Sequence, residues 1–340
     1  MNFVKGYLIP RLISYFLIIF IGLTIVFIVP RLSPIDPVQQ MINTITMMGT
    51  YMDPQAVEKL TETLKDLYGL KGNLWQQYIA FWGRFIRGDF GPSFFRFPVP
   101  VSKLIADSIP WTIGLLSVST FLSWLIGNIL GGLCGFFYQR KWARILENIA
   151  MVIRPIPYYI FALILLLIFG YFLKIFPIAG GFSIGLVPSF SLRFILDLIK
   201  YAFLPLISMV ILGTAVTLQT MRLIVQNILK EDFVVYAKAG GVKERTLLFK
   251  YVIRNAMLPQ ITGLALNLGS ALGGALITEL IFNYPGTGYI LFRALSTLDY
   301  PLIQAIFVIL IVAVYLANFI VDFVYAIVDP RIRLGQGEGS

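Results

Sequence analysis

Chemistry on a protein needs side chains that hold protons, metals or phosphates, and this chain carries few of them. It contains no histidine, which removes zinc-hydrolase motifs, Ser-His-Asp triads and histidine proton relays together. Its one cysteine, Cys134, lies inside an apolar run and can form no intrachain disulfide. The dipeptide Gly-Lys occurs nowhere, so no GxxxxGK[ST] loop is present to cradle nucleotide phosphates. What remains are two carboxylates in or beside long apolar runs, Glu279 and Asp322. A charge in such surroundings is costly and points to a gate, a pathway lining or a relay, not to bond making. Glu279 precedes the turn-rich LIFNYPGTG and is expected near the end of its run. Two roles suit it: accepting hydrogen bonds from loop amides, or forming an outer gate or pathway lining together with Asn283, Pro285 and Gly286. Asp322 and Asp329 fall near the end of the last run, where water or Arg331 suffices to satisfy them. No catalytic group, bound cofactor or metal site is expected in this chain.

The most informative polar stretch is Glu231 to Pro259, EDFVVYAKAGGVKERTLLFKYVIRNAMLP, enclosed by very apolar segments. Asp232 is placed to N-cap a short helix through Phe233, Val234, Val235, Tyr236, Ala237, Lys238 and Ala239, and Gly240-Gly241 supplies a stop that tolerates positive φ. A second helix is expected from Lys243 towards Leu258, with Pro259 opening the next apolar run. A short helix with a Phe/Val/Tyr face, held between two membrane spans, is suited to fill a groove on a soluble partner. The expectation is a coupling helix that transmits the work of a separate ATPase, with Lys238 and Arg245 as partner contacts. Lys243, Glu244 and Arg245 read equally as a solvated face.

The elements that must position these residues follow from composition. Of 340 residues 58% are hydrophobic and 13% charged, with mean hydropathy +0.83, which excludes an ordinary soluble globular protein. Apolar runs of roughly 20 residues, the length that crosses a bilayer, recur along the chain. They predict an all-α membrane protein with six spans: Leu12–Pro30, Pro110–Tyr138, Ile149–Phe176 with Pro155 and Pro157 bending its entrance, Tyr201–Met221, Leu258–Phe282 and Leu302–Ile327. Gly127, Gly131 and Gly135 repeat at four-residue spacing and would let another helix approach closely. Residues 31–109 form an extracytoplasmic insert, with one helix from Asp53-Pro54 to Tyr68 and another over Leu74–Arg87. The second carries Trp75, Tyr78, Trp82 and Phe85 close to helical spacing; that face packs on its own domain, lies at the membrane interface, or docks an external partner. The core is expected over residues 110–333, with the coupling loop at 222–258 and a polar tail at 334–340. Basic residues concentrate in the first, third, fifth and last of the connecting and terminal segments, which puts both termini and the Glu231–Pro259 stretch in the cytoplasm. The net charge of +10 is spread beside apolar runs, which fits lipid headgroups and a soluble partner rather than nucleic acid.

FVVYAKAGGVKERTLLFKYVIRNAMLP, TELIFNYPGTGYILFRALSTLDYPLIQA and DPRIR, with RLSPIDP, YGL, RGDFGPS and Ile156-Pro157 upstream in the same order, resemble the B-type permease subunits of dipeptide and oligopeptide ABC importers. The resemblance covers nearly the whole chain. The more general permease pattern E-A-A…G keeps only Ala237 and Gly241. The resemblance implies a type I importer half-channel that pairs with a homologous second permease and sits on two ATPase subunits holding the ATP and Mg. An extracytoplasmic binding protein would deliver di- or oligopeptides, or, in related permeases, oligosaccharides or metal chelates, through a plasma membrane of prokaryotic type. Two other classes make different demands on the sequence. An ion-coupled secondary transporter would use Glu279 or Asp322 at the midplane and show inverted repeats; a membrane enzyme would need a nucleophile and base that are absent.

Overall fold

The computed structural model describes residues 9–32, 38–39, 42–43, 53–270 and 276–328. Among them the secondary structure is helical, apart from an isolated bridge between Pro92 and Pro100. The elements are α1 (Ile9–Arg31), α2 (Pro54–Leu67), α3 (Leu74–Arg87), α4 (Val101–Phe136), α5 (Lys141–Ile153), and α6 (Tyr158–Leu165) continued by a π segment (Leu166–Phe172). Then come α7 (Leu192–Ile228), α8 (Asp232–Ala239), α9 (Glu244–Thr246), a second π segment (Leu247–Ile253), α10 (Arg254–Ser270), α11 (Leu276–Ile281), α12 (Thr287–Ser296) and α13 (Tyr300–Val328). Three described helices, α1, α4 and α7, are long and apolar enough to cross a bilayer, or four spans if α5 and α6 with its π segment count as one bent span. Tyr300–Leu316 of α13 is a further apolar stretch.

The chain divides into two compact units, Met1–Trp111 with Gly286–Ser340, and Thr112–Pro285. In the first, α1 packs along α13. A Cβ on Gly22 would lie 3.1 Å from Ile311, the Gln304 amide donates to the Val26 carbonyl (3.1 Å), and Tyr15 meets Tyr315 and Phe319. Helix α2 is capped by Asp53, whose carboxylate accepts from the Gln55 amide, with Pro54 at its first turn. It covers a small cluster of Val38, Ile42 and Leu64. Helix α3 opens with a reciprocal Asn73–Gln76 capping box and closes on Gly88 at φ 67°.

In the second unit the glycine spacing of α4 meets α7. Added Cβ atoms would fall 2.5 Å from Thr217 at Gly127, 2.4 Å from the Leu218 carbonyl at Gly131, and 2.8 Å from Val225 at Gly135. The two backbones touch because these side chains are absent. Helix α5 joins α7 through Glu147 and Arg222 (2.8 Å) and through Ala150, Ala215 and Leu218. Helix α6 joins it through the Tyr158 and Ser208 hydroxyls (2.8 Å).

Several expectations are corrected. The run Ile149–Phe176 is bent much more sharply than a kinked entrance requires: α5 and α6 meet at 103°. The break falls at 154–157 because neither Pro155 nor Pro157 offers an amide and each disfavours helix in the residue before it. Helices α4 and α7 start nine residues before the expected Pro110 and Tyr201, and α7 runs seven past Met221. Pro110 and Pro259 lie inside helices, so no separate helix ends at Leu258; α9, the π segment and α10 follow one another without a gap. The run Leu258–Phe282 appears as α10 and α11, with 271–275 outside the described residues. Past the turn-rich LIFNYPGTG stretch lies the ten-residue α12. Asp322 lies within α13, but its side chain falls outside what the structure describes, as do Asp329, Arg331 and the tail.

Candidate functional site

Helix α8 has eight residues, too few to persist alone, so its order comes from its ends and from what it packs on. It begins at Asp232, not after it: Glu231 holds the N-cap position, and no side chain caps the first turn. The Asp232 carboxylate instead sits in that turn, where the helix dipole favours a negative charge. The C-terminal end follows the expected glycine pair. Gly240 has an ordinary φ of −75° and Gly241 is left-handed at φ 77°. The Gly241 amide donates to the Lys238 carbonyl and the Val242 amide to the Ala237 carbonyl, both at 3.1 Å. This paired arrangement is the Schellman motif, and Val242 and Ala237 both pack on the apolar cluster beneath it.

One edge of α8 is anchored. Val234 is buried with Met221 and Val225 of α7, Leu247 and Val252 of the π segment and Ala256 of α10, and Ala237 packs on the same cluster. The rest faces outward: Phe233 is 43% and Tyr236 75% exposed, and Val235, Lys238, Ala239, Gly240, Gly241 and Arg245 are also exposed. The expected coupling residues therefore lie together, except that Ala237 turns inward as part of the anchor. A ring-bearing, cationic knob on a short helix can enter a groove in another protein. Its anchor passes to α7, and through Met221 and Val225 to the glycine contact with α4, where no slack separates the backbones. A π segment directly beside the knob marks a local departure from α geometry of the kind common at functional sites.

The gate candidates are arranged differently. Glu279 is 0% exposed, and its carboxylate accepts from the Thr112 hydroxyl of α4 at 2.6 Å. The Tyr284 amide binds the main-chain carbonyl of Glu279 (2.8 Å), and the Gly180 amide binds that of Phe282 (3.0 Å). Asn283 is exposed with φ 44°, a conformation asparagine tolerates. Pro285 is half-buried, and Gly286 is buried at the N-cap of α12. Burial and then the Glu279 charge push the Tyr284 phenol up to about 12.

Sequence reasoning missed a second buried carboxylate, Asp299, which is 0% exposed in the first unit. It accepts from the Leu302 amide (3.2 Å), capping α13, and from the Phe95 amide (2.9 Å) and the Ser93 hydroxyl. One carboxylate thus ties the segment after α3 to the start of α13. The Tyr68 ring lies on Phe94 (4.2 Å). Burial, then the Asp299 charge, raises the Tyr68 phenol above its ordinary value. The Asp-Tyr-Pro order at 299–301 is a helix-start signal that points to the cap but not to the distant partner. Among the described residues no group of three or more His, Cys, Asp or Glu could hold a metal ion.

Comparison with known proteins adds the family. A family model described as the binding-protein-dependent transport system inner membrane component matches residues 127–334. The oligopeptide transport system permease protein AppB of Bacillus subtilis (strain 168) is 34% identical over 320 residues, covering 93% of this chain and 95% of its own. The dipeptide transport system permease protein DppB of Lactococcus lactis subsp. cremoris (strain MG1363) is 28% identical, covering 96% of this chain and 99% of its own. The oligopeptide transport system permease protein OppB of Haemophilus influenzae is 29% identical with the same coverage. With a match that runs from the glycine contact of α4 past the end of α13, the chain belongs to the binding-protein-dependent transport system inner membrane component family.

Proposed function

We propose that this chain is one permease subunit of an ATP-driven importer of di- and oligopeptides. It forms half of the pathway with a homologous second permease, while two separate ATPase chains hydrolyse ATP. The carrying observation is α8: an eight-residue helix whose Val234 edge is fixed to α7 while Phe233, Tyr236 and Lys238 stand free. Peptides as solute are supported by near full-length similarity to proteins named for oligopeptide and dipeptide transport. Six spans fit the helices as α1, α4, α6 with α5, α7, α10 with α11, and α13, with both termini and α8 on the cytoplasmic side. An extracytoplasmic binding protein meets the face built from the segment between α1 and α4 and from α12.

In this reading ATP binding closes the ATPases on α8. The Val234 anchor moves α7, and the close α4–α7 contact carries the motion across the unit as a rigid body. The chain biases a conformational equilibrium and breaks no bond itself. Glu279, with Asn283, Pro285 and Gly286, holds the outer end of the pathway. Reconstituting the chain with its second permease, ATPases and binding protein tests this. Labelled dipeptide enters vesicles only when all are present with ATP; uptake by the chain without the ATPases would refute it.

A further inference from the structure

Helix α3 carries apolar residues around much of its circumference, and only part of that surface is used within the first unit. Contacts along one side join it to α1, among them the Tyr78 ring on that of Phe27 at 5.1 Å. Gln77 accepts from the Arg31 guanidinium (3.0 Å), Phe81 lies 5.5 Å from Phe27, the Tyr78 hydroxyl meets that of Thr24 (2.8 Å), and Trp82 stacks on Phe20 at 5.3 Å. At about 100° per residue, Gln77, Phe81, Tyr78 and Trp82 succeed one another around α3 in that order. Their partners, residues 31, 27, 24 and 20, succeed one another along α1 over about 16 Å. Turning around α3 therefore moves along the length of α1, which is the arrangement of a helix lying across another.

Continuing the same rotation past Trp82 brings Trp75, Ile86 and Ile79, which are 67%, 79% and 57% exposed. Gln76, Arg87 and Ala80 come next and close the circle on a more polar side. The exposed apolar stripe thus points further along α1 in the direction of Phe16, Leu17 and Ile21, which are themselves exposed on a helix long and apolar enough to span a bilayer. The stripe of α3 continues that exposed apolar surface of α1.

We propose that α3 lies flat in the bilayer interface, with Trp75, Ile79 and Ile86 inserted among the acyl chains and Gln76 and Arg87 in the headgroup layer. The membrane, not the binding protein, covers this stripe. The inference rests on membrane embedding alone and is independent of the transported solute.

The test uses the full chain with its partner subunits in phosphatidylethanolamine–phosphatidylglycerol vesicles. Ile79→Cys, Ile86→Cys and Gln76→Cys, each in a Cys134→Ser background, carry an environment-sensitive fluorophore. Spin-labelled acyl chains should quench the probes at 79 and 86 severalfold more than the probe at 76, and aqueous iodide should show the opposite order. Equal iodide quenching at all three sites would overturn the proposal. So would protection at 79 and 86 that appears only when the binding protein is added. Should the cysteine variants fail to fold, Trp75→Phe in the otherwise unchanged chain gives a second reading: the emission it removes must be the fraction quenched by brominated lipid. Loss of an iodide-quenched fraction instead would be equally decisive against it.

Discussion

Replacing Gly241 with valine separates the conformation of the α8 stop from its surroundings. A Cβ there meets nothing within 4 Å, so no clash contributes. The cost is the left-handed backbone at φ 77°, about 1–2 kcal/mol for an L-residue with a side chain. The chain can escape that cost only by rotating residue 241. Rotation breaks the two 3.1 Å bonds to Lys238 and Ala237, each worth about 0.5–1.5 kcal/mol net. Either route loosens the end of a helix too short to stand alone, shifting its docked-to-frayed equilibrium by roughly 5- to 30-fold. Amide exchange over residues 233–242 in the assembled transporter should accelerate by that factor while exchange in α7 stays unchanged, and ATP-driven peptide uptake should fall with it. Gly241→Asn, which tolerates the left-handed region, should be nearly silent. Gly240→Ala should be mild, because φ is −75° and the nearest atom to its Cβ, the Tyr236 carbonyl oxygen, is 3.3 Å away. Unchanged exchange and uptake in Gly241→Val, or equal damage from Gly240→Ala, would refute the reasoning.

Asp299→Ala should destabilise the first unit by about 2–4 kcal/mol, combining a lost cap with the loss of an acceptor for the buried Ser93 hydroxyl and the half-buried Phe95 amide; a thermal melt indistinguishable from the parent would contradict the role given to the carboxylate. Gly131→Leu places a Cβ 2.4 Å from the Leu218 carbonyl and should cost about 1–3 kcal/mol or more. Gly114→Leu on the same helix, where nothing lies within 4 Å, should leave the denaturation midpoint near the parent value. Glu279→Gln keeps an acceptor for Thr112 and should melt like the parent. Glu279→Ala, which leaves a cavity and removes the acceptor of the 2.6 Å Thr112 bond, should lose about 2–4 kcal/mol. If Gln impairs uptake without lowering the melt, the charge itself works in the gate.

The features legible in the sequence were those fixed by local stereochemistry or by simple spacing. Gly241 ended α8 because it takes the left-handed conformation at little cost, and Gly127, Gly131 and Gly135 fell on one helix face where a second backbone fits. Apolar run length located the long helices but not their ends. Pro110 and Pro259 read as boundaries because each removes an amide, yet both are absorbed within longer helices whose packing outweighs one lost bond. Pro155 and Pro157, two residues apart, did break theirs. The pairing of Asp299 with Ser93 spans 206 residues; each residue signals only its own turn, and nothing local says that the two meet. On α8 the Phe233–Tyr236 face was readable from composition. The inward turn of Ala237 depended on where α7 and the π segment come to rest.

Site-specific cross-linking from Tyr236→Cys probes the driving contact directly, since that side chain is 75% exposed at the centre of the α8 face. In the assembled transporter a short bifunctional reagent should join residue 236 to an ATPase chain, with a yield that changes between nucleotide-free and ATP-bound states. A cross-link confined to lipid or to the external binding protein, or no capture of an ATPase under either condition, would contradict the account.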